Sequence, residues 1–115
     1  MAINSQTGSL KSLAVALRDG TVSARALAES AIENHEAHNA TLAAYKTWEP
    51  DRLRAEADVA DGALAVGIDL GPMQGIPVSV KDLYGVRGYP TFAGSPRELP
   101  PEWQHEGPVI QALRG

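Results

Sequence analysis

The chain has 115 residues, a net charge of −4, ordinary apolar content and no cysteine. That length suits one domain of ordinary size. The absent thiol excludes a disulfide scaffold, a thiolate metal site and a cysteine nucleophile, and the lack of any lysine/arginine cluster removes the footprint of a nucleic-acid binder. The opening MAINSQTGSL has no basic or apolar leader pattern, and no apolar run nears the roughly 20 residues that span a bilayer. A soluble, cytoplasmic protein with no membrane or nucleic-acid partner is expected.

In chain order, the first helix is expected over about 9–19. Leu10, Leu13, Ala14 and Leu17 share one face, and Gly20 stops it. The second, about 23–38, starts at a strong cap, Ser23, with Val22 placed to pack on Leu27. Leu27, Ala28, Ala31, Ile32 and His35 form its apolar stripe. TLAAYKTW (41–48) carries a weak strand pattern. Pro50 suits the first turn of a third helix over about 50–61, whose inner face, continued to Leu64, is Leu53, Ala57, Ala60 and Leu64. Beyond residue 66 come seven of the eight prolines. There the pattern predicts a core strand over 75–82, a loop over 83–106 and a helix start over 107–115. A single core strand among several helices cannot pair its own backbone groups, so its neighbours must come from elsewhere.

Within IPVSVK, strand alternation puts Ile76, Val78 and Val80 on one face and Pro77, Ser79 and Lys81 on the other. Asp82 would then point away from Lys81. Two readings of Lys81 stand side by side. It is either a solvated charge at a strand end or a general base held neutral by burial. The second needs its pKa brought from about 10.4 towards 7–8, roughly 4 kcal/mol, which burial favours and a close carboxylate opposes.

The stretch GPMQGIPVSVKDLYGVRGYPTFAGS (71–95) closely resembles the amidase signature family, whose pattern runs G-P-L-x-G-I-P-V-x-V-K-D and then G-x-P-T-x-x-G-S. Met73 stands where leucine is usual. SLAVALRDGTVSARALAESAIENHEAHNATLAAY (12–45) is similar to the family's first two helices and the segment after them. GPVIQALR (107–114) resembles its D-A-P-V-V-x-x-L-R helix, with Glu106 for aspartate and Gly107 for alanine. The resemblance implies an α/β fold, a mixed sheet covered by helices, of which 1–115 is the N-terminal part. It implies amide C–N hydrolysis by a Ser–cis-Ser–Lys triad in which Lys81 is the base, with no cofactor. The glycine/serine-rich segment that carries the family's two serines has no counterpart in this sequence. The expected partners are therefore the remaining amidase polypeptide or a complementary chain, and a small-molecule amide. The chain alone should be inactive, and homo-oligomerisation is left open. Two rivals are a degenerate, non-catalytic binding protein and an amidotransferase component that modifies aminoacyl-tRNA.

Tyr84, Tyr89 and Phe92, in the loop after Lys81, either line an acyl pocket or pack that loop on the body of the protein. HEAH (35–38) is one residue short of the H-E-x-x-H metal pattern and reads as helix-end chemistry, so no metal is expected. Arg87 and His105 read as surface residues.

Overall fold

The computed structural model describes residues 8–114. Four α-helices follow in order: α1 (Leu10–Asp19), α2 (Ala24–Leu42), α3 (Pro50–Ala65) and α4 (Pro108–Arg114), with a short 3-10 turn at Pro101–Trp103. Gly115, the end of the expected fourth helix, lies outside the described residues.

Local chemistry sets the helix starts. Ser9 accepts the Ser12 N–H at 3.1 Å and Ser23 accepts the Ala26 N–H at 3.0 Å, each satisfying a donor the helix cannot pair itself. Asp61, from α3, adds a cap invisible to local pattern. Its two carboxylate oxygens accept the N–H groups of Ala24 (2.7 Å) and Arg25 (3.0 Å). α2 also runs past His38 to Leu42, so Thr41 and Leu42 are helical and the weak strand pattern over 41–48 is not realised. It stops at Ala43, a left-handed residue whose N–H returns to the Asn39 carbonyl.

The core gathers Leu13 and Leu17 of α1, Ala24, Leu27 and Ala28 of α2, and Ala57 of α3. Val22, Leu53, Ala60, Leu64 and Ile76 pack against it, half-buried. The buried phase of α1 is Leu13, Ala16 and Leu17. The expected face is thus rotated: Leu10 is 57 % exposed and Ala14 only half-buried. Alanines at both 14 and 16 leave the apolar phase ambiguous, and packing against α2 chooses between them. Across α2 and α3, Glu29 accepts from Arg25 and Arg54, while Arg25 also reaches Asp58 and Arg54 reaches Asp51. His35 is half-buried and stacks on Trp48, with ring centroids 3.7 Å apart, and Tyr45 meets its edge. That cluster closes the α2–α3 connection.

The described residues contain no β-strand, so the strand expected over 75–82 does not form in this chain. Among the described residues the N–H groups of Val78, Ser79, Val80 and Lys81 find no backbone acceptor. Without a ladder partner there is no strand, whatever the side-chain pattern. The one β-type contact among the described residues is an isolated parallel bridge between Gly85 and Glu106.

Candidate functional site: the Lys81–Phe92 turn

The segment bearing Lys81 is anchored at its start. Arg18, at the end of α1, grips both carboxylate oxygens of Asp69 at 2.7 Å and the Gly71 carbonyl at 2.6 Å. This bidentate guanidinium bond is the main reason the Asp69 carboxyl lies at about 2, with the Gly71 N–H as a second donor. Gln74 holds the same turn, accepting from Leu70 and donating to Ile68. Gly75 then passes so close to Leu17 and Ala24 that a Cβ would sit 3.2–3.3 Å from them.

From Ile76 the chain leaves the core. Ile76 and Pro77 are half-buried, Val78 is 48 % and Val80 38 % exposed, and Lys81 is exposed. The described residues therefore leave the Lys81 side chain in solvent. No carboxylate pairs with Lys81 among the described residues. Its carbonyl accepts the N–H groups of Leu83 (2.7 Å) and Tyr84 (3.1 Å), turning the chain sharply.

Within that turn Asp82 is half-buried, and its Oδ1 accepts the Phe92 N–H at 3.1 Å in a partly buried bond. Thr91, beside it, is 2 % exposed. Its N–H donates to Gln104 Oε1 at 2.9 Å and its carbonyl accepts the Leu99 N–H at 2.8 Å. Gln104 closes the loop by donating to the Leu99 carbonyl.

The aromatic residues do not converge on Lys81 as one group. Tyr84 is 51 % exposed. Tyr89 is half-buried with the Arg52 guanidinium 3.9 Å from its ring centroid, and burial, opposed by that cation, raises its phenol pKa. Arg52 also donates to the Arg87 carbonyl at 2.7 Å, fixing the loop to α3. Phe92 is half-buried, with the Lys46 ammonium 4.6 Å from its centroid. Nearer α4, Glu106 accepts the Arg87 N–H (3.0 Å) and Arg114 Nε (2.9 Å), contacts that lower its pKa, the Arg87 N–H most. Among the described residues, open hollows of about 410 and 210 Å³ lie beside α1 and between Leu70–Gln74 and α4, and neither is lined by Lys81 or these aromatics. Among the described residues no three His, Asp or Glu side chains gather to hold a metal, and no helix is long and apolar enough to cross a membrane.

The Amidase family model matches residues 26–114, most of the chain. The chain belongs to the amidase signature family. This amidase chain is 46 % identical over 106 residues to the 2-amino-5-chloromuconic acid deaminase of Comamonas testosteroni, a match covering 92 % of the chain and 23 % of that protein. It is 40 % identical over 93 residues to a glutamyl-tRNA(Gln) amidotransferase subunit of Bordetella petrii, covering 81 % of the chain and 18 % of the relative. The AtzE subunit of the 1-carboxybiuret hydrolase of a Pseudomonas is 38 % identical over 100 residues, covering 85 % and 22 %. The chain thus spans about a fifth of the length of these relatives.

Sequence reasoning placed Lys81 and Asp82 on different sides but missed what holds them. The acceptor role of Asp82, the clasp of Gln104 on Thr91 and the Arg18–Asp69 grip join residues 10, 13 and 51 positions apart. No local spacing signals them.

Proposed function

We propose that this amidase chain supplies the general base, Lys81, to an enzyme that cleaves an amide carbon–nitrogen bond, and that the serines it works through lie on polypeptide beyond these residues. The observation that carries this reading is that, among the described residues, no carboxylate pairs with the amine in the family's lysine position. The adjacent carboxylate is spent on the Phe92 N–H rather than on Lys81. A carboxylate against the amine would hold it protonated, and a protonated amine cannot act as a base.

In the completed mixed sheet, Lys81 would be covered and neutral. Its Nζ would take a proton from a bridging serine, which in turn takes one from the nucleophilic serine as that oxygen attacks the amide carbonyl. The C–N bond breaks with return of the proton to the departing nitrogen, and water resolves the acyl-enzyme. The substrate is a small amide. The substrate named for the Pseudomonas relative, 1-carboxybiuret, carries such carbonyl–nitrogen bonds, which supports this reading.

The test joins this chain to the remaining polypeptide of the Pseudomonas hydrolase subunit, in place of that protein's matching segment and assembled with the rest of that hydrolase, and follows ammonia release from 1-carboxybiuret. The joined enzyme turns over, the chain alone does not, and Lys81→Ala lowers kcat by about 10²–10⁴-fold with an unchanged melting curve. Near-normal turnover by Lys81→Ala overturns the assignment.

A further inference from the structure

We infer that Asp82 is a positioning residue for the base: it acts as a hydrogen-bond acceptor that latches the end of the Lys81 segment to the clasped Thr91–Phe92 turn, and not as the ion-pair partner of Lys81. This rests on the reading of Lys81 as base, but its geometry stands apart from that reading.

Three observations carry it. First, the Asp82 Oδ1 to Phe92 N–H bond is partly buried and bridges ten residues, so it ties two separate parts of the chain. Second, the turn it grips is itself held. Thr91 is 2 % exposed, its N–H is taken by Gln104 and its carbonyl by the Leu99 N–H. The Phe92 ring lies under the Lys46 ammonium. Third, the N–H groups of residues 78–81 have no backbone acceptor among the described residues. The base-bearing stretch is therefore not steadied by a ladder of its own here. The bonds that fix the backbone around Lys81 are the two its carbonyl accepts, from Leu83 and Tyr84, and the Asp82 latch immediately after it.

A latch of this kind sets where the Lys81 Cα stands and which way its side chain leaves. Small misplacements of a reacting group cost large factors in rate. A second consequence concerns charge. With Asp82 turned to a neutral N–H, the Lys81 amine is spared a neighbouring anion.

The two roles for Asp82 separate cleanly by substitution in the joined enzyme described above. Asp82→Asn keeps an amide oxygen that accepts the Phe92 N–H but removes the charge; Asp82→Ala removes both. The latch predicts that Asp82→Ala lowers kcat by roughly 10- to 100-fold with KM changed less than about threefold. It predicts that Asp82→Asn recovers activity to within about threefold of the parent, with the acidic limb of its pH–rate profile in place. Amide exchange at Phe92 should quicken in Asp82→Ala and not in Asp82→Asn, a readout that needs no turnover. The inference is overturned if Asp82→Asn is as impaired as Asp82→Ala and its acidic limb moves to lower pH, the mark of an ion-pair partner. It is equally overturned if Phe92 exchange is unchanged in Asp82→Ala. Should Lys81→Ala retain activity, the base assignment fails, while Phe92 exchange still decides the latch.

Discussion

Replacing Asp61 by alanine tests how α2 is started. The Asp61 carboxylate accepts two first-turn N–H groups of α2, from Ala24 at 2.7 Å and Arg25 at 3.0 Å. Ala24 is 1 % exposed, so its N–H has no water to turn to once the carboxylate is gone. Leaving such a donor bare costs about 2 kcal/mol. The Arg25 N–H lies at a half-buried residue and can be partly rehydrated, so its loss adds about 1 kcal/mol. The sum, about 3 kcal/mol, exceeds a usual cap deletion because one orphaned donor is buried. Asp61→Asn keeps one acceptor oxygen and loses the charge at the positive end of the helix, and should cost about half as much. With a urea slope of about 1.5 kcal/mol/M, the midpoint falls by about 2 M for alanine and about 1 M for asparagine. The assay is urea titration of the purified chain followed by far-UV circular dichroism. Ser23→Ala is the control, since it frees only the Ala26 N–H and should cost about 1 kcal/mol. An Asp61→Ala midpoint within about 0.3 M of the parent would refute the reasoning.

Acid should part α2 from α3 through Glu29. Its carboxyl lies at about 2, below the ordinary 4.5, held down first by Arg54 and then by Arg25. A lowered folded value means that its contribution is complete above pH 4.5 and is lost as pH falls towards 2. Glu29→Gln should flatten the fall in stability within that window, and an unchanged slope would count against the pairing. Gly85→Ala should destabilise the 83–106 loop by about 2 kcal/mol. The added Cβ would meet the His105 carbonyl oxygen at 2.2 Å and break the bridge to Glu106. A normal denaturation midpoint in that variant would show that the bridge does not hold the loop.

What could be read in the sequence was what neighbouring residues decide. Ser23 caps α2 through a bond three residues long and Pro50 opens α3, both visible as spacing. The end of α2 was less visible. Nothing between His38 and Leu42 breaks a helix, and the stop is a left-handed alanine rather than a glycine. The α1 face was misjudged because alanines on either side of Val15 make two apolar phases equally good in sequence. The aromatic pattern around the loop was legible, but the partners of Tyr89 and Phe92 were not. Arg52 and Lys46 lie in and before α3, and only the tertiary fold brings their charges over those rings.

The unformed strand and the exposed lysine are one physical fact. Ile76 rests on the helical core, whereas Val78, Val80 and Lys81 are exposed. The chain is walking away from its own core as it approaches Lys81. Among the described residues its N–H groups lack acceptors there just as its valines lack neighbours, and in the proposed complete fold flanking strands would supply both. On the reading proposed above, those strands would do two jobs at once. They would complete the ladder, and they would take Lys81 out of water, which is what moves an amine towards neutrality. Sheet completion and activation of the base would then be a single event, so polypeptide that pairs with residues 76–81 should slow amide exchange at Val78, Ser79, Val80 and Lys81 and shield the Lys81 amine from amine-reactive labelling even before any serine is brought near it.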